Sequence, residues 1–267
     1  MAKVSAEAKK KYFDKIKTYK KEIEDILQRE TLLLNMSSEE EGLEFRKLTL
    51  ADESLNLVSY YLILDSLSVS LLGVKNDAFM NNARKACYKA IIYLEQVVTN
   101  YIDAPFGDYE ENLIKIESVS DRERLKLVSK IGFAIESVID AYGDNSKWRW
   151  SFVELEGRFA TVIKNLLDLR KLPAKLDPRY DDYQIVVQHL NLARQWMVHS
   201  ADRYREKYEM STHRIDDFKT AIKYLEALRR LSSILRRPKD VDEFKRRVDI
   251  WSQKMEADRK AQEKRSQ

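Results

Sequence analysis

The amino-acid sequence predicts an all-α protein: an elongated antiparallel bundle of about eight long helices, with an α-solenoid of helical hairpins as the alternative arrangement. Three observations carry this expectation. Only six Gly and four Pro occur in 267 residues, whereas average usage would supply roughly 12%, so the many turns of a β-sandwich or barrel have little to be built from. Apolar residues recur in alternating steps of three and four, the spacing that draws one stripe along a helix. Hydrophobic residues make up 44% of the chain and charged residues 34%, enough of the first to fill a core and of the second to solvate long helix faces.

The first helix starts after Ser5 and carries Tyr12, Ile16, Tyr19, Ile23, Ile26, Glu30 and Leu33 on one stripe. Ser38 with Glu41 forms a capping box for the second helix, and Gly73 stands where a left-handed residue closes it. This helix has one apolar face through Ala51, Leu55, Val58 and Val69 and another through Leu50, Leu57, Leu64 and Leu71. Neighbours are therefore expected on both sides. The third helix runs from about Asp77 to Tyr101 through Met80, Ala83, Cys87, Ala90 and Leu94. Pro105 and Gly107 mark the clearest loop, with a short helix expected at 109–117.

Ser120 and Glu123 make a second capping box, opening a helix that carries Val128, Ile131, Ile135 and Val138 and ends at Gly143. After Ser146, one stripe runs through Trp148, Phe152, Leu155, Phe159, Val162 and Leu166, and a second through Trp150, Val153, Gly157 and Ala160. This is the other central helix, with Pro173 as its stop. Gly132 and Gly157 fall inside helices, where Gly costs about 1 kcal/mol relative to Ala, and close helix packing is the expected reason. A helix from about Asp181 to Glu209 follows, then one from Ser211 to Arg237 stopped by Pro238, and a last one opened by Asp240 and Glu243. The apolar pattern fades after Met255, so 256–267 is expected to be a disordered tail. The chain reads as a single domain, 1–267, with 103–119 as the one place for a lobe boundary.

A lone cysteine, Cys87, cannot form an internal disulfide, and the opening MAKVSAEAKKKYFDK lacks the apolar core of a secretory signal. The expected location is the cytoplasm. Net charge is +4 and unevenly spread: residues 1–21 carry +6, residues 219–267 carry +7, and the body between them carries −9. Residues 55–74 are nearly long enough to span a bilayer. Asp65 would then lie at mid-membrane at a cost of ~3 kcal/mol, alongside Asn56, four serines and two tyrosines, so no membrane span is expected.

Most chemistry lacks its residues. Phosphate loops need clustered glycines for close backbone approach, yet the six glycines are never closer than eleven positions apart. His189, His199 and His213 are preceded three residues earlier by Val186, Trp196 and Met210, where a di-iron bundle would place Glu. No metal and no cofactor are expected. Cys87 lies on an apolar stripe, the setting of an inert thiol. The acidic pairs Glu110-Glu111, Asp181-Asp182 and Asp216-Asp217 stand at helix starts, where the macrodipole favours them. No catalytic residue is nominated, and the chain is expected not to be an enzyme.

Two sets of residues stand out. Glu30 and Asp65 interrupt apolar stripes; a buried carboxylate has to be paired or neutralised, and Arg194, also on a stripe, is a candidate partner. The stretch 219–247 holds ten basic and four acidic residues, with Arg229, Arg230, Arg236, Arg237, Arg246 and Arg247 as a candidate contact patch around a helix–Pro–helix turn. The expected function is a non-enzymatic cytoplasmic scaffold or adaptor that binds protein partners through helix faces. A nucleic-acid-associated protein using 219–247 and the basic termini is the alternative. An enzyme or ligand binder with an interhelical pocket comes third. No feature assigns a homo-oligomeric state.

Overall fold

A computed structural model describes residues 4–36, 42–143 and 148–265. The protein is all-α: the described residues contain no strand, and eight of their helices have 14 to 30 residues. The chain divides into two compact units, one of Met1–Val97 with Leu127–Ser146 and one of Val98–Lys126 with Lys147–Gln267. The sequence reading had one domain with 103–119 as the one place for a lobe boundary; the two units part after Val97 and again between Lys126 and Leu127.

The first unit is built on α1 (Ala6–Asn35), α2 (Leu43–Leu72), α3 (Asp77–Val97) and the C-terminal part of α5 (Asp121–Tyr142). Ser5 caps α1, its Oγ accepting from the Ala8 N–H at 3.1 Å, and Tyr12, Ile16, Ile23 and Ile26 of the stripe are buried. The proposed Ser38–Glu41 box lies outside the described residues. α2 packs against both α1 and α3, though Val69 of its first apolar face stays exposed, and Gly73 closes the helix at φ +68°. Asn76 caps α3, its Oδ1 accepting from Ala78 and Phe79 N–H, and α3 stops at Val97, a turn earlier than the stripe suggested. Lys130 of α5 donates to Asp52 at 2.6 Å and Asn56 at 2.9 Å on α2. Lys75 donates to the Ala141 carbonyl, supplying a cation where α5 ends.

The second unit contains α4 (Glu110–Lys115), the start of α5, α6 (Phe152–Asn165), α7 (Leu172–Lys175), α8 (Tyr183–Lys207), α9 (Ile215–Ile234) and α10 (Pro238–Arg265). Ser120 and Glu123 satisfy each other's backbone N–H groups at 2.8 and 3.2 Å, as a capping box should. In chain order α6 packs on α8, α8 on α9 and α9 on α10. Gly157 permits that packing. A Cβ there would lie 2.7 Å from a Tyr204 ring carbon and 2.9 Å from the Tyr224 hydroxyl, and the same hydroxyl donates to the Gly157 carbonyl at 2.6 Å.

Several boundaries differ from the sequence reading. The Ser146 start lies outside the described residues, and α6 ends at Asn165 rather than at Pro173. Leu166, Leu167, Leu169 and Leu172 remain buried through the turn that follows, so the apolar rhythm outlasts the helix. Pro173 stands in the first turn of α7, where its missing N–H costs nothing. Between α8 and α9 the chain makes a π-helical turn over Tyr208–Thr212, and α9 therefore starts at Ile215 rather than Ser211. α10 continues to Arg265, into the stretch from residue 256 that was expected to be a disordered tail. Pairs of Lys254 with Asp258 and of Arg259 with Glu256 and Glu263 support its last turns, and Gln262 donates to the His213 carbonyl at 3.0 Å.

Candidate functional site

The three stripe-interrupting residues are structurally engaged. Glu30 is 9% exposed; it accepts from Lys89 at 2.8 Å and from the Tyr93 hydroxyl, joining α1 to α3. Burial first, then the hydrogen bond to Glu30 and last its charge, raise the Tyr93 phenol above its ordinary pKa. Asp65, 5% exposed, accepts from the Asn76 N–H at 2.6 Å and so holds the end of α2 against the cap of α3. Arg194 is not its partner. Arg194 pairs with Asp240 at 2.5 Å, tying α8 to the first turn of α10.

The six arginines of the basic stretch divide into two groups. Arg230 grips Asp103 through two bonds of 2.8 and 2.9 Å, Arg247 pairs with Asp202 at 2.6 Å and lies over the Trp251 ring, and Arg237 stands 4.0 Å from Asp240. Arg229, Arg236 and Arg246 make no ion pair among the described residues. Arg236 has φ +53°. Its N–H bonds to the Ser233 carbonyl and the Arg237 N–H to the Ser232 carbonyl, both at 3.0 Å. That is the Schellman closure of a helix, in which the left-handed residue is usually Gly; an L side chain there costs roughly 1–2 kcal/mol.

A concentration of charge surrounds a cleft of about 440 Å³ where α4 and the start of α5 meet the α6–α7 connection. Lys171 reaches Glu117, Lys175 reaches Asp121 at 2.6 Å, and Arg170 reaches Glu110 at 2.5 Å. At its base Arg124 is 7% exposed and donates to the carbonyls of Ile116, Val119 and Leu166. It caps the end of α6 and ties down the turn before α5. Burial lowers its pKa, and the nearby Asp121, Asp168 and Glu117 oppose that shift. The cleft's cations and carboxylates are largely spent on one another, as a clasp.

On α2 the arrangement is different. This helix is long and apolar enough to cross a membrane by length and composition, and only 33% of its most apolar stretch is buried. Ser59, Ile63, Ser66, Val69 and Ser70 line an exposed strip on its C-terminal half, with Ile63 37% and Val69 42% exposed. Ser59 and Ser70 turn their hydroxyls back to the helix's own Leu55 and Leu67 carbonyls, which leaves the strip low in free donors.

The TP0443 family matches residues 8–259, which takes in nearly the whole chain. The chain belongs to the TP0443 family. No curated protein and no solved structure matches it. The family match spans α2, the Arg124 clasp and the α9–α10 turn of this TP0443-family chain alike.

Further buried polar groups of the TP0443-family chain lie on or beside α6. His189 is buried, its Nε2 2.9 Å from the Ile163 carbonyl; burial lowers its pKa to about 4, the bond to Ile163 opposing. Lys164 is 3% exposed, its Nζ 5.7 Å from the Tyr109 ring centre, and burial lowers it to about 8. Glu156 receives Arg203 at 3.2 Å and faces His199 at 3.4 Å, while Asp202, on the His199 face, goes to Arg247. Cys87 is fully buried and its thiol is pushed up to about 12 by that burial. Among the described residues no three His, Cys, Asp or Glu converge as a metal site would require.

Proposed function

We propose that this TP0443-family protein is a non-enzymatic cytoplasmic scaffold or adaptor that binds a protein partner along the exposed strip of α2. The observation that carries the reading is the exposure of Ile63 and Val69 on a helix this apolar. A core helix of a soluble protein buries most of its apolar surface, because each buried methylene is worth about 0.8 kcal/mol. Unburied apolar surface on a long helix is what a partner helix recovers on docking. The small serines between Ile63 and Val69 allow a second helix to approach closely.

Capture from a nuclease-treated native lysate by the tagged full-length chain tests this. One partner band is expected, and it is lost when Ile63→Lys and Val69→Lys are combined. Capture that is unchanged by the double substitution would refute the α2 surface. Recovery of the chain in the membrane pellet after carbonate washing would assign α2 to a bilayer instead.

A further inference from the structure

We infer that the α9–α10 turn is a sequence-independent contact surface for the phosphate backbone of a nucleic acid. It stands apart from the α2 reading. Between Arg229 and Arg247, five cations, Arg229, Arg236, Lys239, Lys245 and Arg246, make no ion pair among the described residues. Two acids of the same segment, Asp242 and Glu243, also make none, and they reduce the surplus to three positive charges. The nearby acids are committed to other arginines: Asp103 to Arg230 and Asp202 to Arg247 within the segment, and Asp240 to Arg194 outside it.

The spacing suits a charged strand. At a rise of about 1.5 Å per residue, Arg229 lies roughly 10 Å back along α9 from Arg236, and Arg246 roughly 12 Å along α10 from its start. These two arms are therefore nearly level, with Arg236 and Arg237 at the apex. One strand of a duplex advances about 3.4 Å per phosphate, so the span from apex to arms covers about three phosphates.

The apex residue carries the strongest indication. The backbone at position 236 adopts the left-handed conformation that glycine fills most readily. The chain places an exposed, unpaired arginine there instead, and strain kept at one position is a pointer to function. A lipid surface is a poorer fit, because membrane-docking basic segments usually add apolar anchors. No large hydrophobic residue between Met210 and Ile250 is exposed. Beside the apex, Ser233, Arg236, Arg237, Pro238, Val241 and Asp242 line a shallow concavity of about 320 Å³.

Fluorescence anisotropy of labelled 20-nucleotide single-stranded and duplex DNA with the full chain, between 50 and 200 mM KCl, is the test. Binding should weaken with salt at a slope of about −3 in log K against log salt for duplex, about −2 for single strand. Arg236→Gly should raise the melting temperature by about 2–4 °C while reducing the salt slope by about 1 and the affinity several-fold. That opposite movement separates contact from folding. Arg236→Glu combined with Arg246→Glu should abolish binding. The inference is overturned if the chain binds neither DNA at 50 mM KCl, or if Arg236→Gly keeps full affinity. Tighter binding to phosphatidylserine vesicles than to either DNA would also overturn it, in favour of a lipid surface.

Discussion

The helices α2 and α6 are written alike, each with apolar residues on two faces, yet their surroundings differ. In α6, twelve of fourteen residues are buried, among them Glu156, Lys164 and Asn165. In α2, nine of thirty are buried, and the C-terminal half leaves Ile63 and Val69 in solvent. A helix this enclosed must find partners for most of the polar groups it buries, and α6 meets Arg203, the Thr99 and Tyr101 carbonyls and the Tyr109 ring, leaving the Asn165 Oδ1 without a hydrogen bond. A helix open on one side can leave apolar surface unmatched. The first arrangement is that of a structural core; the second leaves surface for something else to cover.

The largest test of the contrast is a pair of truncations. Phe159 is fully buried, with the Trp196 ring edge-on at 4.9 Å, and Phe159→Ala should cost about 3–5 kcal/mol. Ile63→Ala, on the open side of α2, should cost about 1 kcal/mol or less, since much of the side chain is already hydrated. Urea unfolding measures both, and equal losses would erase the distinction between the helices.

Protonation should report the enclosure of α6 next. His189 has its pKa lowered from 6.5 to about 4, so between those values the unfolded chain binds the extra proton. Stability is then full above pH 6.5 and is lost as the pH falls toward 4. Lys164 is lowered from 10.5 to about 8, so below pH 8 the folded chain carries a costly buried charge, and stability should rise with pH from 8 to 10.5. Each shift corresponds to about 3 kcal/mol over its window. Replacing Lys164 by Met should remove the alkaline slope and stabilise the chain at neutral pH by about 1–4 kcal/mol. Denaturant midpoints that stay flat across both windows would count against the burial of these groups.

Gly157→Ala sharpens the comparison at one atom. Its new Cβ would lie within 3 Å of both Tyr204 and Tyr224, where overpacking typically costs about 1–3 kcal/mol. Differential scanning calorimetry should show a lower melting temperature, and a Gly157→Ala protein as stable as the parent would mean that the two tyrosines move aside without loss.

How much of this was legible in the sequence depends on whether side-chain spacing encodes it. The stripes of Tyr12 to Ile26 and Met80 to Leu94 marked helices and their buried faces, and Ser5, Gly73, Ser120 and Gly143 marked ends, because caps have residue signatures. The end of α6 was not legible, since Leu166, Leu167, Leu169 and Leu172 continue an apolar rhythm through a turn that is not helical. Arg124 was missed because its partners are the carbonyls of Ile116, Val119 and Leu166, which no residue pattern announces. Lys164 and Glu156 carry no mark in the sequence, and only the enclosure of α6 shows that they are buried. The six basic-stretch arginines were visible as a cluster, whereas their division into paired and unpaired depends on Asp103 and Asp202, far away in the chain.

The smallest expected effect is on stability, and it is the one that bears most directly on the proposed function. Lysines at Ile63 and Val69 would extend from the exposed strip of α2 into water, and surface changes away from packed contacts shift stability by about 0.5 kcal/mol or less. The two side chains make no polar contact that the substitution would break, and long lysine stems can lie along the helix with their charges solvated. Melting temperature and helical circular dichroism of the double variant should therefore match the parent. A large loss of stability would mean that α2 is closed in the folded protein, like α6, and that its open strip is core rather than surface. With stability unchanged, any loss of partner capture in the double variant belongs to the strip itself.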